Sequence, residues 1–141
     1  KVNRKLPGMM DYRQHIEAGS MLNTPPVFAI YVCLLTLRWL KKQGGVAGIE
    51  KINKEKAGLL YKTLETKSGF ELPVANEDRS RMNVVFRIPD AALEKKFLEA
   101  CQQQGMVGVK GHRSVGGFRV SLYNALPLES VKALTTLINE L

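Results

Sequence analysis

The sequence predicts an α/β fold in which helices pack on one face of a small, mainly antiparallel sheet. Apolar and polar residues alternate over 82–88 and 118–124, which is the period of a half-buried strand. Apolar residues recur at helical spacing over 46–67, from Asp90 to Gly105, and after Pro127. With 45% hydrophobic residues in a chain of 141, there is enough apolar surface for a real core.

The start of the chain follows a different pattern. Lys1 to Ser20 is predicted to be irregular or extended, with a turn at Pro7-Gly8. A helix is predicted next, capped by Asn23 or Thr24, opened by two prolines and ended by Gly44-Gly45. This helix is apolar on nearly all sides, which is typical of a helix covered by a large assembly. We therefore expect a missing part of the protein or a partner chain to cover it.

Residues 46–141 are predicted to be the self-contained unit, and residues 1–45 the tail of a different domain. Besides the three helices and two strands described above, two weaker strands are predicted over 70–75 and 106–109. The first of these is expected at a sheet edge, because Pro73 cannot donate to a ladder.

The net charge of +8 favours an anionic partner, such as nucleic acid, a membrane surface or a phosphorylated metabolite. Alternatively, the charge of a partial chain means little, since the basic residues are dispersed and often adjacent to glutamate. The longest mainly apolar run, Val27 to Leu37, is shorter than the roughly 20 residues that span a bilayer. The chain opens without Met or a signal-peptide pattern, as expected of a domain fragment.

Cysteine and histidine give no sign of a metal site. Cys33 and Cys101 lie within apolar helical patterns and are expected to be buried, reduced thiols of a cytoplasmic protein. His15 and His112 are far apart in sequence, with no cysteine or acidic cluster at ligand spacing. We therefore expect no bound metal.

The stretch from Gly111 to Arg119 concentrates residues that suit an anion. Its nine positions hold three glycines and three potential cations, His112, Arg113 and Arg119. Arginine binds carboxylate or phosphate through two parallel hydrogen bonds, and histidine can add a further donor. Glycine lets the backbone approach a ligand closely or turn with positive φ. The residues alone leave two interpretations open: a compact oxyanion pocket, or a glycine-rich hairpin with solvated basic side chains.

The order of these residues closely resembles the C-terminal region of the phosphoserine aminotransferase family, which consists of class V, fold-type-I pyridoxal-phosphate (PLP) enzymes. The motif Gly-His-Arg-x-x-Gly-Gly-x-Arg is followed by Tyr-Asn-Ala at 123–125. Two other stretches also resemble this family: 19–26, Gly-Ser-Met-Leu-Asn-Thr-Pro-Pro, and 79–84, Arg-Ser-Arg-Met-Asn-Val. The resemblance implies that 1–45 is the tail of the large PLP-binding domain, with a dimer-interface helix. It implies that 46–141 is the small C-terminal domain.

The resemblance also implies roles for five residues. Asn23 and Thr24 match residues that reach across the dimer and bind the PLP phosphate of the other subunit. His112 and Arg113 match residues that mainly recognise the phosphate of the substrate, and Arg119 matches the residue for its α-carboxylate. Without the resemblance, Asn23-Thr24 is only a helix cap.

For the whole enzyme, the resemblance implies a homodimer with shared active sites. The reaction moves an amino group from glutamate to 3-phosphohydroxypyruvate in serine biosynthesis, and in many bacteria a related phosphorylated substrate serves pyridoxine synthesis. The lysine that forms a Schiff base with PLP lies, in this family, in a segment before residue 1. Lys110 is next to the anion-binding loop, but its surroundings do not match that lysine. This chain alone is therefore expected to be inactive.

A basic anion- or nucleic-acid-binding module is the alternative function. Nucleic-acid modules usually combine a basic stripe with interleaved aromatic residues. Here the aromatic residues fall mostly on apolar patterns, so neither nucleic acid nor a membrane is the expected partner. Arg79 and Arg81 are interpreted as surface or structural residues.

Overall fold

The computed structural model describes residues 5–112 and 114–141. The chain divides into two compact units, Lys1–Lys42 and Gln43–Leu141. Within the described ranges, no helix combines the length and the apolar character needed to cross a membrane.

From residue 5 onward, the first unit contains two short helical segments and one long helix. A 3-10 turn spans Gly8–Met10, helix α1 spans Tyr12–Glu17 and helix α2 spans Val27–Lys42. The expectation that the chain is irregular or extended up to Ser20 is therefore wrong over 8–17, and its first four residues lie outside the described part of the chain. The reason is a local cap: the Asp11 carboxylate accepts the backbone N–H of Arg13 at 3.1 Å and starts α1.

Helix α2 begins later than predicted. Its first residue is Val27, and the Pro26 carbonyl accepts the N–H of Ile30 at 3.1 Å. The expected cap is not formed, because the Asn23 amide donates to the Thr24 carbonyl at 3.4 Å instead. Since the two prolines precede the helix, they remove no N–H group from its first turn.

No residue of α2 is buried, although the helix is largely apolar. Phe28, for example, is 81% exposed. The described part of this unit has no core of its own, because the 3-10 turn and α1 bury no residue either. For this reason Cys33 is exposed, and the expectation that both cysteines are buried is wrong for Cys33 and correct for Cys101.

The second unit has the architecture that the sequence predicts. Its main elements are α3 (Gly45–Thr66), β1 (Asn83–Phe86), α4 (Ala91–Gln103), β2 (Phe118–Ser121) and α5 (Leu128–Glu140). The predicted cap of α4 is confirmed, since the Asp90 carboxylate accepts the N–H of Leu93 at 2.7 Å.

The sheet has two strands in the described part of the chain, and they are antiparallel. The weaker strands predicted over 70–75 and 106–109 are wrong. The first is reduced to a bridge at one residue, Glu71 opposite Arg87, and the second has no strand residue at all, since the nearby bridge of Lys110 to Phe118 lies just beyond it. Pro73 interrupts the first segment, and Gly108, with φ of +76°, turns the second out of an extended conformation.

The core lies between the helices and the inner face of the sheet formed by β1 and β2. Phe86 and Phe118 stack with ring centroids 5.1 Å apart, and Phe97 of α4 meets both rings edge-on. Helices α3 and α5 pack on each other and complete this layer. One face of the two-stranded sheet is therefore buried, and the other carries the exposed Arg119 beside the half-buried Asn83, Val85 and Ser121.

A buried cation in α3 was not predicted. Lys56 is 0% exposed, and its Nζ donates to the carbonyl oxygens of Leu122, Tyr123 and Leu126 at 3.2, 2.9 and 3.1 Å. These three acceptors match the three protons of an ammonium group. The side chain therefore ties α3 to the segment that leaves β2. The available signal was spacing, since Lys56 lies one helical turn before the buried Leu60.

Candidate anion-binding site

Backbone hydrogen bonds close the glycine-rich loop that leads into β2. The Gly111 N–H donates to the Gly117 carbonyl, and the Arg119 N–H donates to the Val109 carbonyl, both at 2.9 Å. These bonds tie the two ends of the loop together at the start of the strand.

Two of the loop glycines are required by close approach of the backbone. A Cβ at Gly111 would lie 2.5 Å from the Gly116 carbonyl oxygen, and one at Gly117 would lie 2.8 Å from the Phe86 carbonyl oxygen. Gly117 also has a backbone φ of +64°, which residues other than glycine rarely adopt. Packing of the loop on itself and on β1 is thus sufficient to explain these two glycines.

His112 is exposed, and Ser114 orients its ring. The Nδ1 atom lies 2.8 Å from the Ser114 hydroxyl and accepts the Ser114 backbone N–H at 3.3 Å. A neutral ring whose Nδ1 accepts an N–H carries its proton on Nε2, and the protonated ring also has a proton there. His112 therefore offers an Nε2–H donor in both states, which suits an anionic ligand.

Arg119 lies on the outer face of the two-stranded sheet, opposite Val85. It is exposed, whereas its neighbours Phe118 and Val120 are buried in the core. Arg119 and His112 line the same cavity of about 380 Å³, which we call the anion cavity. It is bordered by the two-stranded sheet and the glycine-rich loop. The structure thus brings two of the predicted substrate-binding residues together. Arg113, which was predicted with them, lies outside the described residues.

Arg119 also borders a second cavity of about 410 Å³, on the side of α5. Among the described residues that line this second cavity, Arg119 is the only cation; the other polar side chains there are Gln104, Ser121 and Ser130. A phosphorylated ligand needs several donors or positive charges. The anion cavity has more basic side chains, His112 and Arg119, and on that ground it suits such a ligand better, although most of its other lining residues are apolar.

A third cation, Arg87, lines the anion cavity and was missed by the sequence interpretation. It directly follows β1 and is exposed. The signal was present in the alternation of the strand. If Val84, Phe86 and Ile88 point into the core, Arg87 belongs to the opposite face, together with Arg119.

Asn23 and Thr24 belong to the first unit and lie just before α2. Both are exposed; the Asn23 amide makes a long contact of 3.4 Å, and the Thr24 hydroxyl has no partner within the described part of the chain. The first-turn N–H groups of α2 have no acceptor within the helix. Two of them are used outside it, since the N–H groups of Val27 and Ile30 donate to the carbonyls of Pro25 and Pro26 at 2.8 and 3.1 Å. The N–H groups of Phe28 and Ala29 remain available, and a helix N-terminus of this kind suits an anion such as the phosphate of PLP.

Arg79 and Arg81 are held by structural contacts, and their interpretation as surface or structural residues is confirmed. Arg79 pairs with Glu65, and its guanidinium lies 5.2 Å from the centroid of the Tyr61 ring. Arg81 forms a surface ion pair of 3.4 Å with Glu50. Both cations are therefore neutralised outside the anion cavity.

Comparison with known proteins identifies the family. The class-V aminotransferase family model matches residues 4–134. A phosphoserine aminotransferase of Porphyromonas gingivalis is 51% identical over 142 residues, which cover 99% of this chain and 39% of that protein. This chain therefore spans about two fifths of the relative's length.

Solved structures show the same fold. The phosphoserine aminotransferase of Bacillus circulans subsp. alkalophilus matches with a TM-score of 0.84 and 42% identity, over 96% of this chain and 38% of that one. The PLP-bound phosphoserine aminotransferase of Trichomonas vaginalis matches with a TM-score of 0.82 and 39% identity, over 99% and 40% of the two chains. By sequence and by structure, this chain belongs to the class-V aminotransferase family.

Proposed function

We propose that the whole protein is a PLP-dependent phosphoserine aminotransferase. It transfers the amino group of L-glutamate to 3-phosphohydroxypyruvate, giving O-phospho-L-serine and 2-oxoglutarate, as a step of serine biosynthesis in the cytoplasm. A related phosphorylated substrate of pyridoxine synthesis is part of the same proposal. The observation that carries it is that His112 and Arg119 line one cavity, in a chain that is 51% identical to a phosphoserine aminotransferase.

We further propose that the two anionic groups of the substrate are bound by different basic residues of this region. Arg119 binds the α-carboxylate through two parallel hydrogen bonds, while His112 and Arg113 bind the phosphate. The Nε2–H of His112 is free to donate in both protonation states, because Ser114 occupies Nδ1. An analogue that lacks the phosphate leaves these groups unpaired, and this would make the site selective.

Asn23 and Thr24 are proposed to hold the phosphate of PLP in the active site of the other subunit. Both side chains are exposed and have donors available, as a shared site requires. When bound, PLP supplies the electron sink that amino transfer needs. The lysine that carries the cofactor is proposed to lie outside residues 1–141.

A homodimer follows from the same proposal, with α2 in the interface. The helix exposes apolar residues along its length, and exposed apolar patches of this size usually mark an interaction surface. We propose that residues 1–45 are the tail of the large domain and 46–141 the small domain. The division of the structure after Lys42 lies close to that boundary.

The substrate preference tests the reaction. The full-length enzyme should use 3-phosphohydroxypyruvate at least about 100-fold better, in kcat/KM, than 3-hydroxypyruvate, because a site built for a polar group rejects an analogue without it. Formation of 2-oxoglutarate from glutamate measures both rates. Similar values for the two acceptors would contradict a phosphate-selective site. The 141-residue chain, mixed with PLP and both substrates, should form no product; turnover by it would contradict the placement of the catalytic lysine.

The cross-subunit role of Thr24 can be tested in mixed dimers in which one subunit lacks the lysine that carries the cofactor. Thr24→Ala placed in that lysine-deficient subunit should raise the Kd of PLP at the remaining site by about five- to tenfold, since one hydrogen bond to a charged group is lost. Placed in the other subunit, it should have no effect. The reverse result would contradict the assignment. Thr36→Ala is the control, because the Thr36 hydroxyl donates to the Val32 carbonyl within α2.

A further inference from the structure

We propose that Arg87 is an additional substrate-binding residue, which binds the phosphate dianion in the anion cavity together with His112, beside the Arg119 that holds the α-carboxylate. The proposal rests on the proposed function only for the identity of the anion. It goes beyond the five residues discussed above, because neither the sequence motif nor the resemblance assigns a role to Arg87.

The register of β1 against β2 places Arg87 and Arg119 within reach of one ligand. Val85 lies directly opposite Arg119, and Arg87 is two residues further along, on the same face. Diagonal neighbours on one face of an antiparallel pair have Cα atoms about 7–8 Å apart, which long side chains readily bridge. Both arginines line the anion cavity.

The backbone of Arg87 is fixed on both sides. Its N–H donates to the Glu71 carbonyl, and its carbonyl accepts the Glu71 N–H, both at 2.9 Å. On the loop side, a Cβ at Gly117 would lie 3.2 Å from the Arg87 Cγ. The aliphatic part of Arg87 thus runs against the glycine backbone, and glycine at 117 leaves the space for it.

The positive charge of Arg87 has no carboxylate partner in the described residues. Ion pairs within 4.0 Å join other cations to acids, including Arg79 to Glu65 and Arg81 to Glu50, but none involves Arg87 or Arg119. Glu71 is opposite Arg87 in the bridge, and its carboxylate does not approach to that distance. Arg79 and Arg81 are therefore paired outside the cavity, whereas the two arginines that line it form no ion pair among the described residues and are available for a ligand.

Inorganic phosphate tests this inference in the PLP-loaded, full-length protein, where the cofactor already occupies its own phosphate site. Arg87→Gln should raise the Kd of phosphate, measured by titration calorimetry at constant ionic strength, by about five- to tenfold, since it removes one charge-assisted contact. Arg81→Gln is the matched control, because it removes the same charge from a surface ion pair. It should change the Kd by less than about twofold, the effect of distant, screened charge.

An equal change in both variants would overturn the inference, because it would reflect net charge alone. An unchanged Kd in Arg87→Gln, or no measurable phosphate binding by the parent protein, would also overturn it. Failure of the proposed function looks different. In that case the parent protein would bind phosphate and Arg87→Gln would weaken it, but O-phospho-L-serine would not be converted in the presence of 2-oxoglutarate.

Discussion

Replacing Arg119 by alanine in the full-length enzyme should lower kcat/KM for glutamate and for 3-phosphohydroxypyruvate alike. Both substrates carry the α-carboxylate that we assign to Arg119. Removing one partner of a desolvated charge pair costs about 2–5 kcal/mol, which corresponds to about 30-fold to several thousand-fold in rate. Single-turnover measurement of the two half-reactions gives the two values separately.

Arg113→Ala is the matched comparison, because Arg113 is assigned to the phosphate, which glutamate lacks. This variant should weaken the reaction of the phosphorylated substrate by about tenfold or more, and leave the half-reaction of glutamate nearly unchanged. Equal losses for both substrates would remove the phosphate-specific role of Arg113. A loss confined to the phosphorylated substrate in Arg119→Ala would assign Arg119 to the phosphate instead.

Replacing Lys56 by methionine should lower the free energy of unfolding by about 3–5 kcal/mol, a cost typical of removing one partner of a buried charged network. Methionine fills a similar volume, but it leaves the carbonyls of Leu122, Tyr123 and Leu126 without their donor. Urea unfolding of the 141-residue chain, followed by far-UV circular dichroism, measures the change.

Lys51→Met is the control for that experiment, since Lys51 lies on the exposed side of the same helix. It should change the free energy of unfolding by no more than about 0.5 kcal/mol. A similarly small effect of Lys56→Met would mean that the three carbonyls find other donors, and that the buried ammonium does not hold the segment after β2.

The same residue predicts a pH dependence. Burial lowers the pKa of Lys56 below its ordinary value of 10.5. Between the folded-state pKa and 10.5, the unfolded chain binds more protons than the folded chain, so the contribution of Lys56 to stability rises with pH across this window. The difference in unfolding free energy between the parent chain and Lys56→Met should therefore grow as the pH approaches 10.5. A difference that shrinks would show that the three carbonyl acceptors raise this pKa.

Most of the second unit could be predicted from the sequence, because its elements depend on nearby residues. The stripe of α3, the cap at Asp90 and the alternation of β1 are local properties, and each has the expected structure. The strand predicted over 106–109 is wrong because a strand depends on pairing with residues elsewhere in the sheet. Val107 has high β-propensity but is 89% exposed, and among the described residues the nearest bridge to β2 is at Lys110, outside the predicted strand.

The sequence by itself determined the α/β class, the two strongest strands and the order of cations from His112 to Arg119, since these depend only on the type and spacing of neighbouring residues. Only the tertiary structure decided that Lys56 is buried, that Cys33 is exposed and that Arg87 lines the same cavity as Arg119. Each of these depends on which distant segment packs, or does not pack, against the residue. Residues far apart in the chain meet because of the register of β1 against β2 and the packing of the helices on the sheet. Local periodicity encodes neither the register nor the helix packing.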